Sequence, residues 1–150
     1  MRARTLFVLL AGWLVLLSGC ASEEADKLLG QWVGRPQLDQ PTSHELAKVR
    51  IGLESIVLNF TSRRTVTMTV RIQGQPEAVQ QGTWKLAETL GRRMTVELTL
   101  PTKDQPQPPP QRLLLVWDEA GRFTAREVTA DLTPIDDRMP RLLFERAKTP

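Results

Sequence analysis

No tyrosine, one cysteine and one histidine occur in 150 residues, and aromatic side chains make up only 5% of the chain. A single thiol forms no internal disulfide, so a packed core rather than a covalent staple must hold the fold together. One histidine also removes most ways of building a nucleophile–base pair or a zinc centre. His44 stands beside Glu45 near the start of a predicted helix and reads as a solvated polar residue. Asp131, Asp136 and Asp137 lack the alternating oxygen spacing of a calcium loop and read as part of a solvated connection. Nothing points to paired catalytic carboxylates. No enzyme activity, metal or cofactor is expected.

An excess of one charge is missing too. The chain carries 20 Lys+Arg against 17 Asp+Glu, and setting Arg2 and Arg4 aside leaves 18 against 17, a net charge near +1. That balance gives no concentrated positive footprint, so nucleic acid is not an expected partner. The one long apolar run, Leu6 to Leu17, is shorter than the roughly 20 residues a permanent membrane span needs. It follows Arg2 and Arg4 and precedes small residues and the sole cysteine, the order of a secretory leader. Leu17-Ser18-Gly19-Cys20 resembles the lipobox of bacterial lipoproteins. The resemblance implies that residues 1–19 are a signal peptide and that the Cys20 thiol carries a diacylglycerol. Cleavage before Cys20, with acylation of the new amino group, would leave two or three chains, enough for lasting anchorage. Ala21 and Ser22, with no aspartate, resemble the outer-membrane sorting pattern of Gram-negative bacteria rather than inner-membrane retention, and in such a host the expected place is the outer membrane, on its periplasmic face.

After a short polar spacer over residues 20–29, with some helical character, period-two alternation dominates. Thr65 to Ile72 and Arg93 to Leu100 alternate almost without fault, as half-buried antiparallel strands do. Further strands are expected at Gln31–Arg35, Ser55–Thr61, Ala78–Ala87, Arg112–Asp118, Arg122–Val128 and Arg141–Ala147, eight in all. Between the first two, Thr42 to Glu54 has capping residues and Leu46, Val49 and Leu53 on one helical face, which predicts a short helix. Alternation of Ala47, Val49, Ile51 and Leu53 allows a strand there instead. Short connections at Thr61–Arg64, Glu88–Gly91 and Glu119–Gly121 alternate with long ones at Pro36–Glu54, Pro101–Gln111 and Thr129–Pro140. In an up-and-down meander the long loops then share one end, beside the Gly74–Glu77 turn, and the short turns share the other. The proline-rich segment Pro101–Pro110 favours an extended polyproline conformation, as a stiff connection or a partner-docking arm.

This arrangement resembles the lipocalin-like superfamily, an eight-stranded antiparallel barrel with one tight end and one open end. Gly30-Gln31-Trp32 is similar to the Gly-x-Trp motif that opens the first lipocalin strand, and Arg146 falls where that family packs an arginine across this tryptophan. The tripeptide recurs at Gly82-Thr83-Trp84. The resemblance, spanning roughly Leu28 to Ala147, implies an all-β barrel domain over residues 30–150 whose base is closed by Gly30, Trp32 and Arg146.

Val66, Met68, Val70, Ile72, Trp84, Leu86, Met94, Val96, Leu98 and Leu100 are expected inside. An eight-stranded barrel is either filled by such side chains or just wide enough for one small ligand. With no charge in the set, any guest is apolar, such as a fatty acyl chain, touching Met68, Val70, Trp84 and Leu98. Arg63, Arg64, Arg92, Arg93 and Arg122 fall at the short-turn end near Cys20, where they would face the membrane. The leading expectation is a lipid-anchored envelope protein that binds or carries a small apolar molecule. The other is an accessory lipoprotein with a filled barrel that offers its long loops to an envelope protein.

Overall fold

Alternating side chains commit each strand to one inward and one outward face, and the chain satisfies this by closing a sheet on itself. A computed structural model describes residues 19–37, 52–133 and 142–148. A short helix, α1 (Gly19–Asp26), leads into β1 (Gly30–Pro36), β2 (Leu53–Phe60), β3 (Thr65–Ile72), β4 (Ala78–Leu90), β5 (Arg93–Thr99), β6 (Gln111–Trp117), β7 (Phe123–Val128) and β8 (Leu142–Arg146). Each strand pairs antiparallel with the next and β8 pairs with β1, giving a closed eight-stranded up-and-down barrel. The expected strands match these to within a few residues. Of the helix expected at Thr42–Glu54, residues 42–51 lie outside the described ones, Gly52 is in a turn, and Leu53 and Glu54 open β2. His44, Asp136 and Asp137 lie outside them as well.

Nine of the ten residues expected inside are in the core or packed against it, Ile72 being the exception. Val66, Trp84, Met94, Val96, Leu98 and Leu100 are buried in a core that also takes Trp32, Ile56, Leu58, Phe60, Leu115, Phe123, Leu142 and Phe144. The strands are staggered: Thr65 at the start of β3 is level with Thr83 in the middle of β4, which is level with Thr99 at the end of β5. β4 therefore pairs with β3 over its first half and with β5 over its second, turning a corner at Gly82–Thr83. A bulge between Leu86 and Glu88 then resets the alternation, so that Thr89 rather than Glu88 pairs with buried Met94.

Two connections depart from a simple reading of the sequence. The proline-rich loop is not straight, because the amides of Thr102 and Gln105 donate to the Gln105 carbonyl and the Thr102 hydroxyl and fold that stretch into a turn. Asp131 closes a loop between Thr129 and Thr133, accepting from both hydroxyls. These bonds hold its carboxyl below the usual range, the Thr129 contact foremost.

On the outer face of β5, Glu97 is buried between Lys85 and Arg112, its direct cross-strand neighbours. It lies 2.7 Å from Lys85 Nζ and 2.8 Å from an Arg112 guanidinium nitrogen, and Arg112 also donates to the Ala130 carbonyl. The Lys85 bond first, and Arg112 after it, hold the Glu97 carboxyl low against the opposing effect of burial. A carboxylate whose folded pKa is depressed contributes stability above its unfolded pKa and loses it as pH falls through the folded value. Glu97→Gln should therefore cost on the order of 1 kcal/mol at neutral pH, with the gap to the parent shrinking below about pH 4. Urea melts at pH 7, 5 and 3 check this, and a constant gap across the three would remove the ion cluster from the account of acid stability.

Candidate functional site

The short-turn end is the most fully built region of the molecule. Trp32, on the first inward turn of β1, has Trp117 edge-on at 5.4 Å and Phe123 at 4.8 Å, and Phe123 stacks on Phe144 at 5.0 Å. The Arg146 guanidinium lies 4.7 Å from the centre of the Trp32 ring, so the barrel-closing pair is formed. Such a contact contributes about 0.5–2 kcal/mol.

Arg146 also holds the segment before β1. Its guanidinium donates to the carbonyls of Lys27 and Leu29, both at 3.0 Å, while the Trp32 indole donates to Leu28 at 2.8 Å. Carbonyls just beyond the end of a helix need partners and favour a cation, and these have both. Gly30 makes the turn possible: its φ is +107°, and a β-carbon there would come within 3.2 Å of the Arg146 guanidinium. Ala25 and Leu28 are buried in the core, so the polar spacer expected over residues 20–29 instead ends as a plug beneath the barrel. Cys20 lies in the first turn of α1, about 6 Å along the axis before Glu24.

The second Gly-x-Trp repeats the device. The Trp84 indole donates to the Thr61 carbonyl, Phe60 meets the ring edge-on at 5.3 Å, and the Arg64 guanidinium covers it at 4.5 Å. Arg64 adopts φ +61°, a conformation costing a non-glycine residue about 1–3 kcal/mol. In that conformation its carbonyl accepts the Trp84 amide at 2.9 Å while its side chain covers the same residue.

All five arginines expected near the anchor occur at the short-turn end, but not in equal states. Arg64 is held over Trp84, and Arg92 pairs with Glu119 at 3.1 Å. Arg122 precedes β7 and is engaged by Asp118 at 2.7 Å and Glu145 at 3.5 Å. Arg63 and Arg93 are exposed and have no carboxylate partner among the described residues.

Toward the long-loop end the packing is looser among the described residues. Leu53, Met68, Val70 and Leu113 pack against the core yet are only half-buried, as is Ile72, and small, exposed Ala78 pairs with Val70. Of the four residues expected to touch a ligand, Met68 and Val70 line this upper part. Trp84 and Leu98 are fully buried in the packed core. Outside the barrel, Pro108, Pro109 and Pro110 face the end of β7 across a groove of about 470 Å³.

Sequence reasoning passed over three parts of this region: the α1 plug, the Arg64–Trp84 pair, and the cluster of Trp117, Phe123 and Phe144. The last was within reach, since Leu113-x-Leu115-x-Trp117, Phe123-x-Ala125 and Leu142-x-Phe144 all alternate. No protein-family model, curated protein or solved structure matches the chain.

Proposed function

We propose that this protein is a lipid-anchored carrier of the bacterial cell envelope, tethered through acyl chains on Cys20, that takes a small apolar molecule into the open half of its barrel. The observation that carries the reading is the set Leu53, Met68, Val70 and Leu113, packed against the core but only half-buried, above a floor of aromatic rings. Apolar surface left inside a closed wall gains free energy when a guest covers it, at about 25 cal/mol per Å². No charged side chain stands in that set, so the guest is a hydrocarbon such as a fatty acyl chain rather than a polar metabolite. The leader and lipobox set the compartment, and Ala21-Ser22 directs the protein to the periplasmic face of an outer membrane in a Gram-negative host. At the sealed end, Arg63 and Arg93 rest on phospholipid headgroups, with Arg64 beside them over Trp84, while Arg92 is paired with Glu119 and Arg122 with Asp118 and Glu145, and these two contribute little.

Native mass spectrometry of the acylated protein from gentle detergent should show an added mass of fatty-acid size. A charged side chain in an apolar chamber is costly to bury, so Val70→Lys should abolish the adduct and the uptake of a fluorescent fatty acid. Protein without an adduct, and indifferent to the fluorescent probe, would exclude the carrier reading. The second reading, a filled barrel presenting its loops to an envelope protein, draws on the groove between the Pro108–Pro110 wall and β7.

A further inference from the structure

We infer that the sealed end carries a binding pocket for the phosphoryl headgroup of an anionic membrane lipid, formed between α1 and the β4–β5 turn. It rests on the reading that this end faces the membrane. The pocket, of about 230 Å³, is lined by Lys27, Arg92 and Arg93, with Thr89 and Trp117 at its wall; Lys27 pairs with Glu24 at 2.6 Å and Arg92 with Glu119 at 3.1 Å, which leaves Arg93 as the lining cation without a carboxylate among the described residues. At about 30 Å³ per water molecule, that volume admits a phosphoryl group with part of its ester.

Two features single it out. The Thr89 hydroxyl and the Trp117 indole nitrogen are the buried side-chain polar atoms without a hydrogen-bond partner among the described residues, and both residues line this pocket. An unmet buried donor costs about 1–3 kcal/mol, so two at one place need a reason. An anion would satisfy both once a small shift of the wall exposes them, because a hydroxyl and an indole N–H each donate and the unpaired Arg93 favours negative charge. The other described tryptophans offer no such donor, since Trp32 and Trp84 give theirs to Leu28 and Thr61.

The rim identifies a lipid as the source of the phosphoryl group. Leu90 and Val116, the cross-strand neighbours of Arg93, are 70% and 38% exposed beside the pocket. Exposed apolar side chains interleaved with arginine suit the headgroup and acyl boundary, where the apolar part enters and the cation meets phosphate. Cys20 stands one helical turn before Glu24 along α1, so an anchor there would start about 6 Å along the axis from a residue of this pocket.

The test uses the acylated protein in maltoside micelles, with the indole ¹⁵N–¹H resonances observed while phosphatidylglycerol is added. The Trp117 resonance should move and saturate, with those of Trp32 and Trp84 staying in place. Trp117→Phe removes the signal and assigns it. Thr89→Val, close in shape, and Arg92→Gln with Arg93→Gln should each weaken the titration at least about fivefold, near 1 kcal/mol per contact. A Trp117 resonance that ignores phosphatidylglycerol overturns the pocket. So does an equal response to inorganic phosphate at the same concentration, which would make it a free-anion site. Docking is read separately, as slowed amide exchange in residues 61–64 and 118–122 on transfer from micelles to vesicles. Slowed exchange with an unmoved Trp117 leaves docking intact and removes the pocket, whereas a moved Trp117 without slowed exchange keeps the pocket and removes docking.

Discussion

Trp32→Ala should lower the unfolding free energy by about 3–5 kcal/mol, as expected for truncating a fully buried tryptophan. For a domain of this size that is a fall in Tm of roughly 10–20 °C. The ring does three things at once: it packs against Trp117 and Phe123, stacks under Arg146, and donates to the Leu28 carbonyl that ends the α1 plug. Removing it opens a cavity and leaves that carbonyl without its donor. Trp32→Phe should recover most of the packing but not the hydrogen bond, and so fall between the two. Thermal and urea unfolding followed by circular dichroism measure this, and a loss below about 1 kcal/mol for alanine would show that the sealed end does not depend on the ring.

Gly82→Ala comes next, at about 3 kcal/mol or more, the upper range for forcing volume into a packed site. A β-carbon at Gly82 would stand 1.9 Å from the Thr99 carbonyl oxygen and 2.9 Å from its carbon, both backbone atoms, so no rotamer change relieves the clash. β4 must either straighten at its corner or release the end of β5. Gln81→Ala, one residue earlier on the exposed face, should stay within about 0.5 kcal/mol. The same melts decide it: if the two variants unfold alike, the corner is not fixed by close backbone approach. Because Gly82 opens the second Gly-x-Trp, its loss should also displace Trp84 from Arg64.

The strands were legible because a half-buried strand writes its burial directly as alternation, and Thr65–Ile72 appears in the structure with the bounds expected. β4 runs to Leu90, past the expected end at Ala87, because the bulge shifts the inward position from Leu86 to Thr89 and period-two alternation stops where the phase breaks. The α1 plug was obscure for another reason. Among the described side chains of the spacer, Ala25 and Leu28 enter the core and Leu29 packs against it, too few to set a helical period against Glu23, Glu24, Asp26 and Lys27. Pairing of Trp32 with Arg146 was legible only through a family resemblance, since nothing local links positions 114 residues apart. Pairing of Trp84 with Arg64 had the same tripeptide but no such guide. The phosphoryl pocket could not be read at all, because unmet donors are defined by their surroundings rather than by residue type.

Closure of β8 onto β1 has a consequence in time. Arg146 reaches the Leu29 carbonyl across 117 residues of chain, so the α1 plug is secured only after all of the intervening polypeptide has emerged. Until then β1 lacks one neighbour and the Trp32 indole lacks its cation, an exposed edge beside an uncovered aromatic. Contacts this distant along the chain form slowly and leave intermediates prone to stray association. The step that completes the barrel is thus the one a chaperone would have most reason to guard.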